Sequence, residues 1–471
     1  MPECSETRFA FQPLGPRAVI ARFNGGYVTS DGGALLLREV EHRTGMMRRF
    51  AACFTDQRAP DRIEHPVEAL VKQRVYALAL GYEDLNDHDQ LRRDPLLAVL
   101  VGKRDPTGQN RKRARDAGNA LAGKSTLNRL ELRLPQATHT AQRYKKILID
   151  PAAVDQVLVE LFLEAHAEPP PEIVLDLDAT DDPVHGHQEE RFFHGYYGHY
   201  CYLPLYIFAG EFLLGARLRP ANRDASAGAL EEIERIVHHI RTQWPTVRMT
   251  LRADAGFCRE PLMAWCEAHD IAYVFGLAKN GRLLAELHGE LAQAQAQFEQ
   301  TGKPARVFKE FRYRTLESWT QERRVVAKAE HLEKGANPRF VVTSLPPTQW
   351  AAQAVYEELY CARGDMENRI KEQQLDLFAD RTSTAKLWSN QIRLYFSSFA
   401  YILLQTLRRL GLHGTEMAHA QCGTIRLHLL KIGALLTISV RRIQVALASG
   451  SPYATLFQQV YTQLRVDGRD P

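Results

Sequence analysis

Three consecutive prolines, Pro169-Pro170-Pro171, separate two kinds of sequence and constrain the fold of this chain more than any other stretch. Such a run ends a helix before it and cannot lie inside a central strand. Beyond it, short apolar runs alternate with amphipathic ones. EIVLDLD (172–178) is a strand ending in acids, and CYLPLYIFAG with EFLLGARLRP forms a hairpin across Gly210. Residues 225–242 have helical periodicity, and VRMTLRAD (247–254) is a strand. GFCREPLMAWCEAHD is a short helix and IAYVFGL (271–277) the next strand. The order β-β-β-α-β-α-β predicts an α/β fold, a mixed sheet covered by helices.

On either side the pattern differs. Residues 1–168 are expected to be mostly helical, a kind of region that either binds DNA or simply packs. It opens with a short strand (18–23), a hairpin turn at Asn24-Gly25 and a helix capped by Asp31. Residues 63–101 have helical spacing broken at Pro95, and a further helix is expected over 141–166. Residues 169–278 then form the first part of the core. Residues 279–346 hold runs rich in Arg and Lys, such as ARVFKEFRYRTL and RRVVAKAEHL, and form an antiparallel β insertion. Residues 347–412 complete the core with the amphipathic run LWSNQIRLYFSSFAYILLQTLRRL, and residues 413–471 are expected to be helical.

Net charge is +4 and the pI about 8.6, so any nucleic-acid footprint has to be a local patch. The segment GKRDPTGQNRKRARDAG supplies one, with Arg111, Lys112 and Arg113 at its centre. It is either a solvated loop or a phosphate-contacting patch. The seven cysteines are scattered without a C-x-x-C pair, which argues against a zinc ribbon and suits a reducing cytoplasm. No apolar segment is long enough to span a bilayer, and no signal peptide is expected. GNALAGKS (118–125) matches the P-loop pattern, but RKRARDA before it cannot be the buried strand that a P-loop needs. An ATPase using Lys124 is therefore a minor alternative.

Asp176 and Asp178 point to one face of a strand end, and Asp254 ends another strand before Ala255-Gly256. Acids at strand ends sit where α/β sheets place chemistry, although one alone is as readily a helix cap. In YCARGDMENRIK (360–371), helical spacing puts Tyr360, Arg363, Glu367 and Lys371 on one face. By itself that stripe is a solvated face with i,i+4 ion pairs. Two strand-borne aspartates and a helix-borne glutamate can instead hold two divalent ions for in-line phosphodiester displacement. Mg²⁺, a hard ion preferring carboxylate oxygen, suits such a site, with Mn²⁺ able to take its place. Arg363 and Lys371 would then meet phosphates.

The element order, the β insertion before the last acid and the Y-x2-R-x3-E spacing resemble the DDE transposases of bacterial insertion sequences, which have a ribonuclease-H-like core. The resemblance runs from about Glu172 to Leu410, and the Asp-Ala-Thr and Arg-Ala-Asp-Ala-Gly-Phe segments resemble the family's first two acid motifs. It implies that Asp178, Asp254 and Glu367 are both the catalytic triad and the metal ligands, with Tyr360 and Arg363 at the signature positions. Asp176, Asp181 and Asp182 are the competing candidates for the first acid. Where the family has a lysine seven residues after the glutamate, this chain has Gln374; Lys371 is expected to take over the phosphate contact.

The implied activity is cut-and-paste transposition: metal-dependent cleavage at transposon ends and strand transfer into target DNA. The implied partners are double-stranded DNA, as terminal inverted repeats and target, and a second copy in a homodimer on DNA. The implied location is the bacterial cytoplasm, on the nucleoid when bound. A catalytically silent DNA-binding relative is the alternative. Two features stay open. His185, His187, His194 and His199 cluster with Tyr196, Tyr197 and Tyr200 as a zinc site, a DNA contact or a packed turn. Trp319 either stacks on a base displaced from the duplex or packs in the core.

Overall fold

A computed structural model of the protein describes residues 8–131 and 146–466. They divide into two compact units: the described parts of Met1–Ile149 and Phe399–Pro471, and Asp150–Ser398. The division falls inside the helix Leu387–Gly411.

Residues 150–398 are organised by a nine-stranded mixed sheet. Its strands are β1 (Glu172–Ala179), β2 (Leu205–Ala209), β3 (Phe212–Arg217), β4 (Arg248–Ala253), β5 (Ala272–Leu277), β6 (Ala305–Tyr313), β7 (Arg323–Leu332), β8 (Gly335–Ala336) and β9 (Arg339–Thr343). The order is β3-β2-β1-β4-β5-β9-β7-β6, with β8 paired to β7. β1, β4 and β5 run parallel and the other pairings are antiparallel. The first five strands, in the order 3-2-1-4-5, make this a ribonuclease-H-like sheet.

The two faces bury different residues because side chains alternate along each strand. Ile173, Leu175, Leu177, Met249, Leu251, Tyr273 and Phe275 share one core with α1 (Pro151–Glu164), α2 (Ala229–Gln243) and α3 (Glu260–Ala268). The opposite face carries Val274, Val326 and Val341, which pack against Val355, Tyr356 and Leu359. Asp176, Asp178, Arg252 and Gly276 have the parity of that second face, so the helical segment beginning near Ala352 covers the strand-end acids.

At the outer strands a closed charge cluster ties helices to sheet. Arg217 of β3 pairs with the buried Asp155 of α1 and with Glu232 of α2 at 2.7 Å, and donates to the Tyr395 hydroxyl at 2.9 Å. Arg235 adds a 2.9 Å pair to Glu232.

Several expectations are corrected. The β insertion begins with two helices, Gly281–Glu286 and His288–Thr301, because ELAQAQAQFEQ is rich in strong helix formers. Its strands extend the core sheet through the β5–β9 pairing rather than forming a separate one. The helix expected over 141–166 starts at Pro151, where the Asp150 carboxylate caps the amides of Ala152 and Ala153; Ile147–Ile149 is a strand, and 141–145 lie outside the described residues. Trp319 is buried in the core, packed edge-on to Tyr313 with the Arg323 guanidinium over its ring, so it presents no face to a base.

In the other unit, Arg17–Arg22 pairs with Arg8–Leu14 across Gly15-Pro16, with Gly15 at φ +60°, so the hairpin turn lies there and not at Asn24-Gly25. The C-terminal region is not wholly helical: Ala434–Ile438 and Ile443–Leu447 form a hairpin beside Tyr27–Thr29. Burial alternates along Ala434–Thr437, the period of a strand. Helices Leu35–Thr44, Met46–Ala52, Val67–Ala79 and Pro95–Val101 supply much of the rest of this unit. No helix among the described residues is long and apolar enough to cross a membrane.

Candidate active site

β1 and β4 are in parallel register, with Arg252 opposite Asp176 and Ala253 opposite Leu177. The next residues on the two strands are Asp178 and Asp254, so neighbouring parallel strands, roughly 4.8 Å apart, deliver both acids to one place. One step earlier the same register delivers a cation to an acid. Arg252 grips Asp176 through two bonds of 2.5 and 2.8 Å and donates to the Leu359 carbonyl at 2.6 Å. Asp176 is therefore a structural anchor. Asp254 is held by its own turn, its carboxylate accepting the Gly256 N–H at 2.8 Å.

The third acid comes from the helical segment over this face. It is not one regular helix. Val355–Tyr360 and Glu372–Asp376 are π-helical turns, flanking a short 3₁₀ turn and the α-helix α4 (Gly364–Lys371). π turns are rare and recur at functional sites. Within α4 the expected i,i+4 pair forms: Arg363 reaches Glu367 at 2.6 Å and stands 3.5 Å from Asp178. Among the described residues Lys371 makes no ion pair, and it is exposed. The π turn takes Tyr360 off the stripe expected from uniform helical spacing. Tyr360 sits over β5 instead, where a Cβ on Gly276 would lie 2.6 Å from its hydroxyl and 2.9 Å from the Ala255 nitrogen. Gly276 thus gives the close approach that Tyr360 and the Asp254 turn require.

Asp178, Asp254, Arg363, Glu367 and Lys371 line one open cavity of about 480 Å³. Burial pushes the Asp178 carboxyl up to about 7; Asp254 and Glu367 add to the rise and Arg363 opposes it. Burial likewise raises the Tyr360 phenol. Three carboxylates are the hard oxygen donors that Mg²⁺ prefers, and a cation beside Asp178 would favour the charged form that burial and the two neighbouring acids oppose. In the present arrangement Glu367 is turned onto Arg363. Among the described residues, no three His, Cys, Asp or Glu side chains are grouped closely enough to hold an ion. The donor set fits a divalent metal in kind, provided Glu367 leaves Arg363.

The remaining candidates are placed elsewhere. Asp181 is bound by His199 at 2.7 Å, and Asp182 is fully buried against Gln374 at 2.9 Å. Gln374 also donates to the Asp181 carbonyl, so the residue at the signature lysine position ties the segment to the β1 strand end. His187 is bonded to Arg191. In the other unit, Arg111 pairs with Glu64 at 2.7 Å and donates to the Asn119 carbonyl, so it braces its own loop. Lys112 bonds the carbonyls of Asp61 and Ile63, and Arg113 is exposed. GNALAGKS follows a 3₁₀ turn instead of a strand, and Lys124 is taken by Asp89 at 3.2 Å and Asn86 at 2.9 Å; this is not a P-loop. His194, Tyr196 and Tyr197 line the acidic cavity, a role their sequence cluster did not single out from zinc binding or packing.

The family model described as Transposase DDE domain group 1 matches residues 11–468. A solved structure of the piggyBac transposase synaptic complex with hairpin DNA is similar over 94% of this chain and 83% of that one, at 10% identity and a TM-score of 0.37. No curated protein matches the sequence.

Proposed function

This chain belongs to the transposase DDE domain family, group 1, and from that membership we propose that its acidic cavity cleaves DNA at the ends of a mobile element and joins the freed ends to target DNA. The observation that carries the reading is the convergence of Asp178, Asp254 and Glu367, from two strand ends and a helix, on one cavity with Arg363 and Lys371. The three carboxylates would hold divalent metal, Mg²⁺ or Mn²⁺. Ions bound there supply the Lewis acidity that in-line displacement at a phosphodiester needs.

The chain's own groups do the rest. The Gly256 amide fixes the Asp254 carboxylate, and Asp176 with Arg252 stiffens the strand pair behind it. Arg363, between Asp178 and Glu367, offsets part of the cavity's negative charge and turns to a phosphate oxygen when DNA enters. Lys371 meets a second phosphate at the rim. Two copies on DNA, one per terminal inverted repeat, are the proposed working unit, and Arg113 in the basic loop is an exposed candidate for backbone contact.

A DNA-binding protein that does not cut is the second reading, favoured by the Glu367–Arg363 pair that keeps the acids apart. A supercoiled plasmid carrying the element's terminal repeats separates the two. Mg²⁺-dependent nicking that Asp254→Ala abolishes supports the enzyme. Binding with no cleavage in Mg²⁺ or Mn²⁺ supports the silent binder.

A further inference from the structure

One wall of the acidic cavity is a small aromatic hairpin that neither the sheet nor the metal reading uses. Phe192–His194 pairs with His199–Tyr202, with Phe193 opposite Tyr200 and His194 opposite His199. The four-residue loop between them is closed by the Gly198 N–H donating to the His194 carbonyl at 2.8 Å, with Gly198 at φ +75°. Added Cβ atoms at Gly195 or Gly198 would meet nothing within 4 Å, so the loop stands in open space.

The two tyrosines of the loop are treated differently. Tyr197 is anchored: its hydroxyl is 3.5 Å from the Ala179 carbonyl, one residue past Asp178, and its ring lies against His194 at 4.9 Å. His199, bonded to Asp181, fastens the returning strand to the same corner. Tyr196 is 87% exposed although it lines the cavity with Asp178, Asp254 and Lys371. Its ring stands perpendicular to that of Tyr197 at 5.0 Å, and at this exposure at least one of its faces is open to solvent. An aromatic ring held by a fixed neighbour at the rim of a phosphodiester-sized cavity, flanked by glycines that leave its approach clear, is a surface for a flat partner.

We infer that this hairpin is a nucleobase-stacking platform, with Tyr196 taking the face of an unpaired base next to the phosphodiester held in the cavity. The inference rests on the reading of the cavity as a DNA site. What favours a nucleic-acid strand as the occupant is continuity and charge. The platform shares its cavity with Lys371 and Arg363, which suit phosphates, and Arg191 lies 4.4 Å from the centre of the exposed Tyr200 ring on the same hairpin. Bases stack on aromatic rings whatever their sequence, so one residue can serve every cleavage event. Trp319, the aromatic that the sequence offered for this task, is buried.

The test uses the full chain in EDTA with two probes, a blunt 30-base-pair duplex and a forked duplex carrying 2-aminopurine at the first unpaired position. Wild type is expected to quench the fork's 2-aminopurine. Tyr196→Ala is expected to lose the quenching and to bind the fork about 5- to 150-fold more weakly, the range for one stacked base. Its affinity for the blunt duplex should stay unchanged, and Tyr196→Trp should restore fork binding and quenching. Fork binding and quenching by Tyr196→Ala equal to wild type overturn the inference alone. Equal weakening on fork and blunt duplex also overturns it, since the ring then serves any DNA or a second protein surface. A wild-type chain that binds neither probe overturns both the inference and the DNA reading beneath it.

Discussion

At the outer strand β3, two carboxylates (Asp155 and Glu232) meet two guanidiniums (Arg217 and Arg235), and the set is closed by the Tyr395 hydroxyl. At the ends of β1 and β4, three carboxylates line one cavity and two of them, Asp178 and Glu367, share Arg363, with Lys371 standing off at the rim. Each cluster contains an aspartate whose carboxyl is raised by burial: Asp155 is fully buried and Asp178 partly so. Burial pushes Asp155 up to about 6, with Arg217 and Arg235 holding it down, so it is ionised at neutral pH. Burial pushes Asp178 up to about 7, and there two further carboxylates push the same way. The first cluster is complete within the protein and contributes to stability. The second leaves negative charge unbalanced and open to solvent, which costs stability unless something cationic arrives. Acids of the same type around the same sheet are thus sorted by the count of their cations.

The largest effect should come from opening the closed cluster. Arg217→Ala strands the buried Asp155 and removes a partner from Glu232 and Tyr395. Breaking a buried pair by removing one partner costs about 3–5 kcal/mol, so urea unfolding should shift far to lower denaturant. Arg363→Ala, in the cavity, removes a guanidinium whose partner Glu367 is substantially exposed and whose other neighbour, Asp178, can take up a proton, and should cost about 1 kcal/mol. Equal losses from the two would dissolve the contrast.

Much of this contrast was legible in the sequence. The triplets Asp176-Leu177-Asp178 and Arg252-Ala253-Asp254 end two strands, and in parallel register they must pair Arg252 with Asp176 and bring Asp254 to Asp178. The choice between Asp176 and Asp178 as cavity acid was therefore written in the position of one arginine. Glu367 was legible from its spacing to Arg363. Tyr360 was not, because π turns shift a residue relative to a helical wheel that assumes uniform turns. Trp319 lies between strands where no period tells burial from exposure. The hairpin at 434–447 was missed because a short run of apolar residues satisfies helical and strand spacing alike.

Neutralising the two aspartates should move stability in the same direction, by smaller and unequal amounts. The folded Asp178 binds its proton more tightly than the unfolded chain, whose carboxyl titrates near about 3.9. Its contribution is fully present below that pH and is lost as pH rises through about 7. Asp178→Asn keeps the uncharged form, so in EDTA it should be more stable than wild type at pH 8 by on the order of 1–3 kcal/mol, with the gain vanishing near pH 4. Asp155 is raised only to about 6 against Arg217 and Arg235, so Asp155→Asn should gain less than Asp178→Asn at pH 8. Urea midpoints across pH 4–8 measure both. A destabilised Asp178→Asn at pH 8 would mean that the cavity is already balanced.

The smallest effect on the fold belongs to Lys371. It is exposed and without an ion pair among the described residues, so Lys371→Ala should leave stability within about 0.5 kcal/mol of wild type. Its effect should appear only with DNA present. A lysine that neutralises one phosphate releases one counterion's worth of salt dependence, so the slope of log K against log salt should become shallower by about 0.9. Gln374 cannot compensate, because its amide is committed to Asp182 and the Asp181 carbonyl. An unchanged slope would mean that the phosphate contact belongs to Arg363 alone, whose guanidinium would then have to leave both Asp178 and Glu367 as DNA enters. In that case the cavity's acids would be freed by the substrate itself, and the imbalance that sets this cluster apart from the one at β3 would be greatest with DNA bound.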